Sequence, residues 1–502
     1  MRRNTLPGGA VRSPLFIALA LWVVYGPALA IFAWHALHFL RHSAAVVAFP
    51  YQIDYGEAPE LNRALLLARG QPIYVDVSAP PYQMANYTPL YPALVSFFVR
   101  FTGPEFWPGR AISLASTLVS GVALAFATRG LGAPWVGAAL AGAIWLSHHP
   151  VFRWGAYQRV DSLAVALELS AVALFCAGWV RQRRPLAVWL CVPLFLAAAF
   201  TRQTIVAGAW ACFGYLLFVR PRLALTAGGV GVAVGVALVA ALLLITQGWF
   251  WWHIVEGNLN LWTWDIFHRY WGPWWALWQW AGALGGVTLL VLLAGRRAQV
   301  PLLYVAAAGA TVLTMGKIGS YVNYLLQVCA ALSLVCGLAP LAVRLVSARF
   351  RPAAALHLVA AGSLLWGGLQ LREARRRPDT LYWPQATPTE RESARLAHAH
   401  IAELQGDVLS EDMSFTVTTG KRLYLQPFEF SQQAEQGEWD QRPLLEDVRR
   451  GHFVAVVLRF DLAGDPSWHG ERFTRQLLDA LRESYIPDSV YGDYFVYRPR
   501  TS

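Results

Sequence analysis

Charge is scarce in this chain. Asp, Glu, Lys and Arg make up 14% of its 502 residues, where soluble domains carry about 25%. A chain this poor in charge cannot be an ordinary soluble protein or a solvated disordered one. Cysteine is scarce as well. Cys176, Cys191, Cys212, Cys329 and Cys336 all fall inside apolar runs, and none has the spacing of a metal knuckle. They read as small core hydrophobes. No segment repeats at a fixed period. That weighs against a transporter or lipid flippase, whose folds tend to be built from inverted repeats with polar residues at the midplane. No glycine-rich phosphate loop marks a strand-to-helix turn in the polar C-terminal part, so nucleotide binding is not indicated there.

What is abundant points elsewhere. Apolar residues reach 56%, Trp occurs 23 times, and the mean hydropathy is +0.39. Spanning helices need about 20 apolar residues. Candidates lie at 14–40, 110–128, 132–150, 161–181, 185–200, 203–219, 222–246, 274–294, 299–315, 321–343 and 352–371, about eleven spans. The first is read as an uncleaved span rather than a signal peptide, because its apolar run continues to Leu40. Segment 89–101 is apolar but short, and suits a helix lying along the membrane or a partial span. The fold class is therefore an α-helical polytopic membrane protein.

The net charge of +11 is a topology signal rather than a nucleic-acid one, because most of the Arg sits in short loops. With the N-terminus cytoplasmic, the inside segments hold Arg2, Arg3 and Arg12; Arg129; Arg181, Arg183 and Arg184; Arg220 and Arg222; Arg296 and Arg297; and Arg344, Arg349 and Arg351. Arg41 and the run from Arg372 to Arg377 go against this rule. Residues 1–371 form the expected membrane domain, with 41–109 as its first outer loop carrying juxtamembrane helices. Residues 372–502 form an expected small soluble α/β domain on the outer side. In it, 388–405, 443–450 and 470–484 read as helices, and 452–460 and 490–497 as strands. The expected location is the plasma (inner) membrane.

Five polar constellations fall on the outer side. The first is Asp54 and Glu57, followed by a stretch dense in Pro and aromatics that includes Tyr87. A carboxylate there could remove the proton of an acceptor hydroxyl or amine as a glycosidic bond forms; a solvated acidic loop is the plain alternative. The second runs from His148-His149 through Arg153 and Arg159 to Asp161, with Glu168 two turns further into the span. Adjacent histidines cannot point the same way on a helix, so they are not read as a metal pair. The third is Thr201-Arg202-Gln203-Thr204. The fourth, 249–270, interleaves Trp with His253, Glu256, Asn258 and Asp265; an interfacial Trp belt explains the rings but not the polar residues. The fifth is Lys317 with Asn323 close behind. Arg153, Arg202 and Lys317 are candidate partners for a lipid phosphate. Each alone reads as an interfacial anchor, and their common side favours the joint reading.

These motifs together resemble the GT-C superfamily of membrane glycosyltransferases. The branch most similar holds protein mannosyltransferases, aminoarabinose transferases and related bacterial family 39-type sugar transferases. The resemblance rests on Asp54 to Glu57 after the first span, Ala-Arg-Gly-Gln-Pro-Ile-Tyr-Val-Asp at 68–76, Asn86 to Pro92, Gly109-Arg110 and Arg159 to Leu163. It is specific over 14–215 and rests further on mainly on layout, together with Gly319 to Leu326.

The resemblance implies a polyprenyl-phosphate-sugar donor, an inverting displacement, an outward-facing site and no required metal or other cofactor. The expected partners are that donor, the bilayer and a glycan, lipid or protein acceptor. Those families have adjacent Asp-Glu in the first loop, whereas here the acids are Asp54 and Glu57. Counting back from Gly70, Glu57 aligns with the pair and Gly56 replaces its Asp, so the base is Asp54 or Glu57, with Asp54 preferred. Asp161, Arg159, Tyr87, His253, Asn258 and Asn323 are expected to orient the acceptor or organise the site. A non-catalytic membrane scaffold would keep the spans but need no polar groups aligned on one face.

Overall fold

The computed structural model describes residues 14–347, 353–377, 382, 387–464 and 471–500. Arg2, Arg3, Arg12, Arg349 and Arg351 of the topology reading lie outside them.

A bundle of apolar helices makes up the first three-quarters of the chain. In order they are α1 (Pro14–Ala48), α2 (Glu57–Ala68), α3 (Leu90–Thr102), α4 (Trp107–Gly130), α5 (Trp135–Trp145), α6 (His149–Trp154), α7 (Val160–Leu174), α8 (Pro185–Ala199), α9 (Ala207–Val219), α10 (Pro221–Ile245), α11 (Trp249–Ile254), α12 (Trp264–Ala294), α13 (Gln299–Val312), α14 (Leu326–Gly337), α15 (Ala339–Ser347) and α16 (Ala353–Ala374). Prolines open several of them, as at Pro108, Pro185 and Pro221. The first turn has no partner for its N–H groups, so a missing donor costs nothing there.

Each of the eleven expected spans falls on helical structure, with 132–150 divided between α5 and α6 and 321–343 reaching from a short turn before α14 into α15. Among the described residues, eight helical stretches are long and apolar enough to cross a membrane. The expected count of eleven is not reached by that measure: α5, α8 and α9 have only 11, 15 and 13 residues. The run at 132–150 fails as one span because the helix stops at Trp145 and restarts at His149.

The short apolar segment after Pro89 is α3. It buries Tyr91, Val95 and Val99 against its neighbours and exposes Leu94, Phe97, Phe98 and Phe101. Those four share one face at helical spacing, which suits a helix packed along the bilayer edge. It packs on α2, and the two frame the long loop between α1 and α4.

The C-terminal part carries α17 (Pro388–Glu403), α18 (Ser414–Thr418), α19 (Pro427–Glu435), α20 (Arg442–Arg449) and α21 (Arg475–Ser484). They pack on a sheet of order β1-β2-β4-β3, made of β1 (Val408–Ser410), β2 (Ala455–Leu458), β3 (Tyr485–Tyr491) and β4 (Tyr494–Pro499). β1 and β2 run parallel, and β4 pairs antiparallel with β2 and β3. The stretch 490–497, expected as one strand, is a hairpin that turns at Gly492-Asp493. Gly492 has φ +59° there, a conformation that glycine adopts without strain.

The core of this part is not closed on itself. Val77, Tyr82 and Met84 of the long loop between α1 and α4 lie in the same buried cluster as Leu425, Phe430, Leu445 and Val456. Tyr82 N donates to Tyr424 O at 2.7 Å and Gln426 N to Tyr82 O at 3.0 Å. The loop and the C-terminal part are thereby sewn together at the mouth of the bundle.

Candidate functional site

Chain segments at one end of the bundle meet around a cavity of about 650 Å³. It opens between the turn after α1, the start of α7, the segment after α13, and α19 with Glu471-Arg472 of the C-terminal part. A smaller chamber of about 260 Å³ adjoins it, lined by Arg202, Asn258 and Lys317. Asn86, Tyr87, Gly319, Tyr324 and Phe428 line both and form the junction. At Gly319 φ is +82°, and a Cβ there would run into the Phe428 ring. The C-terminal part can close on the bundle here only because this residue is glycine.

The two candidate acids have opposite surroundings. Glu57 is fully buried. Arg110 grips it with two hydrogen bonds, Nε at 2.8 Å and Nη2 at 2.7 Å. The backbone N–H groups of Ile53, Asp54 and Gln158 donate to the same carboxylate at 2.8, 3.2 and 2.9 Å. Burial pushes its carboxyl up, but Arg110 and the backbone donors more than offset that and hold it below the usual carboxylate range. Arg110 spends its remaining N–H groups on the carbonyls of Val46, Phe49 and Tyr51. The pair clamps the end of α1 to the start of α4. Glu57 does not line the cavity, and a carboxylate with five donors on it has no capacity left for an incoming proton.

Asp54 lines the cavity. Both of its hydrogen bonds fall on Oδ2, from Gly56 N at 3.0 Å and Arg159 Nη1 at 3.0 Å. Oδ1 accepts none among the described residues. Burial raises its carboxyl above the usual range, with Arg159 acting against the rise. The same Arg159 donates through Nη2 to the Tyr87 hydroxyl at 3.2 Å. A Cβ at Gly56 would overlap its guanidinium. That is the physical reason for glycine where the resembling families have the first of two adjacent acids: an arginine from the start of α7 fills the space.

Asp161 is fully buried and fully used. It pairs with Arg202 and accepts from Trp154 Nε1 at 2.8 Å and Asn323 Nδ2 at 3.0 Å. Arg202 lies between two rings, its guanidinium 5.8 Å from the Tyr87 centroid and 4.5 Å from that of Tyr324. Lys317 is half-buried, and its Nζ donates to the carbonyl of Asn258 at 3.1 Å. No carboxylate pairs with it among the described residues. The three candidate phosphate partners therefore divide: Arg202 and Lys317 line the smaller chamber, and Arg153 lines the larger.

His253 lies outside both chambers. Its Nδ1 accepts from Ala85 N at 3.1 Å, and its Nε2 donates to Val75 O at 2.9 Å. Burial pushes it down to about 4, so the ring is neutral and serves as a clamp on the long loop between α1 and α4. Asn258 Nδ2 holds the carbonyl of His253 at 2.8 Å. His148 stacks on Trp278 with centroids 3.5 Å apart, while His149 meets Tyr382 edge-on. The two histidines diverge, because His148 is the extended residue before α6 and His149 is its first helical residue. Glu168 accepts from Gly208 N at 2.7 Å and Gln327 Nε2 at 2.8 Å, which joins α7, α9 and α14 away from the cavity.

Sequence reasoning missed three contributors. Arg110 stood in the motif without a role, although an arginine in the first turn of an apolar span was a signal that a buried partner exists. Glu429 and Arg472 left no signal, because a charge in a polar domain reads as solvated.

By sequence, no family profile and no curated protein matches the chain. By structure, ArnT from Cupriavidus metallidurans bound to undecaprenyl phosphate aligns over 97% of this chain and 98% of that one, at 15% identity and a TM-score of 0.57. The archaeal oligosaccharyltransferase AglB from Archaeoglobus fulgidus, in complex with an inhibitory peptide and a dolichol-phosphate, aligns over 93% of this chain and 74% of that one, at 10% identity and a TM-score of 0.53. The chain shares the overall fold of these two structures.

Proposed function

We propose that this protein transfers a sugar from a polyprenyl-phosphate-linked donor to an acceptor on the outer face of the plasma membrane, with the N-terminus cytoplasmic and the C-terminal part outside. The observation that carries the reading is the division of one continuous site. A carboxylate with an open oxygen, Asp54, stands on one side of the junction, and an ammonium without an acidic partner, Lys317, on the other. The shared fold supports it, since structures with that fold hold undecaprenyl phosphate and dolichol-phosphate.

In this reading the lipid phosphate lies in the smaller chamber against Lys317 and Arg202, and the sugar extends through the junction. Asp54 takes the acceptor proton. The acceptor atom bonds to the anomeric carbon on the face opposite the phosphate. The carbon–oxygen bond to the phosphate breaks, and the lipid phosphate leaves with its electrons. One displacement inverts the anomeric centre. Arg202 and Lys317 stabilise the charge that develops on the leaving phosphate, where preorganised donors act most strongly. Arg202 is already neutralised by Asp161, so the chamber offers little excess positive charge. That suits a monophosphate better than a diphosphate. No step requires a metal.

Two results follow. Lys317→Ala weakens undecaprenyl phosphate binding about 10- to 100-fold, the loss of one charge-assisted contact, read by titration in detergent; unchanged affinity removes Lys317 from the phosphate site. The second concerns pH. Asp54 must be ionised to accept a proton, and its carboxyl is raised by burial. The transfer rate therefore falls as pH drops through a midpoint above the ordinary carboxylate value of about 4. A pH profile of single-turnover transfer reads this limb, and a rate flat through the weakly acidic range rejects Asp54 as the base.

A further inference from the structure

The larger chamber has a wall that the donor does not need. The chamber extends past the junction, on the Asp54 side, to Tyr55, Glu429 and Arg472. Two of these come from the C-terminal part. Glu429 sits in the first turn of α19, where its own backbone N–H faces its carboxylate, and it receives a hydrogen bond from the Tyr55 hydroxyl to Oε2 at 3.3 Å. The same hydroxyl accepts from Phe428 N at 2.8 Å, which fixes its direction. Glu429 forms no ion pair among the described residues. Arg472, beside it, lies over the Tyr55 ring at 4.7 Å and pairs with Glu411 instead. Tyr55 and Phe428 meet edge-on with centroids 6.5 Å apart.

A carboxylate set in a cavity wall without an ion-pair partner among the described residues is best satisfied by hydrogen-bond donors from whatever fills the cavity. The aromatic rings beside it require apolar surface. A saccharide ring offers both, with hydroxyl donors on its rim and C–H groups on its face. Arg153, Arg159 and Arg472 also line the chamber, but Arg159 is paired with Asp54 and Arg472 with Glu411, so the stretch of wall formed by Glu429, Tyr55 and Phe428 offers an anionic acceptor group no counter-charge. We infer that Glu429, with Tyr55 and Phe428, forms a subsite of the C-terminal part that selects a neutral, hydroxylated saccharide as the acceptor, so that the transferred sugar is attached to a sugar hydroxyl. The inference rests on the glycosyltransferase reading. It gives the C-terminal part a direct share in specificity, beyond its role in pinning the first outer loop.

The test compares wild type with Glu429→Gln and Glu429→Ala in detergent. Probes are undecaprenyl phosphate for binding, and radiolabelled undecaprenyl-phosphate sugars with envelope extract for transfer. Gln keeps an acceptor for Tyr55, so the local structure is preserved, and undecaprenyl phosphate affinity checks the fold directly. The expected result is an acceptor KM raised at least tenfold in both variants, with kcat and undecaprenyl phosphate affinity within twofold of wild type. The label is expected on saccharide in a linkage that survives mild acid. A fall in kcat at unchanged KM, or a parallel loss of lipid affinity, places Glu429 elsewhere and overturns the assignment. So does label on polypeptide, or in an acid-labile glycosyl phosphate. Wild-type protein that binds undecaprenyl phosphate but consumes no donor overturns the glycosyltransferase reading itself, and the subsite with it.

Discussion

Asp54→Asn is expected to slow transfer about 10²- to 10⁴-fold, the usual contribution of a positioned general base, with undecaprenyl phosphate affinity and thermal stability close to wild type. The reason is local. Asp54 holds Arg159 and Gly56 N through one oxygen and leaves the other open to the cavity. Asparagine keeps an acceptor oxygen for the backbone contact but has no lone pair basic enough to take an acceptor proton. The contact with Arg159 is largely buried, but the asparagine amide oxygen can still accept from the Arg159 guanidinium, so the hydrogen bond survives where the charge is lost, and the unfolding midpoint reads what that costs. The acidic limb of the pH profile disappears with the carboxylate. An Asp54→Asn protein that transfers sugar at the wild-type rate ends the assignment, whatever the behaviour of the other residues.

The second large effect falls on stability rather than on chemistry. Arg110→Ala is expected to cost about 3–5 kcal/mol, because it leaves the fully buried Glu57 carboxylate without its counter-ion. The carbonyls of Val46, Phe49 and Tyr51 lose their donor as well. Glu57→Gln removes the charge from the other side and is expected to destabilise by a similar mechanism. Because folding holds Glu57 below the usual carboxylate range, its contribution is present above the unfolded value and is lost as pH falls through the folded one. The measurement is the unfolding midpoint and the monodisperse yield in detergent. A Glu57→Gln protein with wild-type stability and no transfer would return the base to Glu57. For the same reason Asp54 and Glu57 are informative only as single substitutions, since activity lost in the double variant follows equally from unfolding.

The contrast between these acids shows where the sequence stops. Both sit in one five-residue stretch after the first span, and counting from Gly70 aligned Glu57 with the resembling families' acid pair. What separates them is Arg110, 53 positions away from Glu57, and Arg159, 105 positions away from Asp54. No local pattern reports which arginine reaches which carboxylate. The glycine at 56 makes sense only once the Arg159 guanidinium is seen beside it.

Membrane character, the places of the helices and the gathering of polar residues on one face were determined by the sequence alone. They depend on runs of apolar residues and on arginines in short loops, which are properties of neighbouring positions. Asp54, Arg159 and Lys317 were legible as site candidates for the same reason, since each sits where a span ends, and Tyr87 because its loop is dense in Pro and aromatics. Tertiary structure alone decided which of them remain open and which are consumed. His253 became a loop clamp, Asp161 the holder of Arg202, and Glu57 half of a structural pair, while Glu429 reached the cavity through a contact 374 positions from Tyr55. A buried polar group's role is set by the partners that satisfy it, and those partners come together only when distant segments pack.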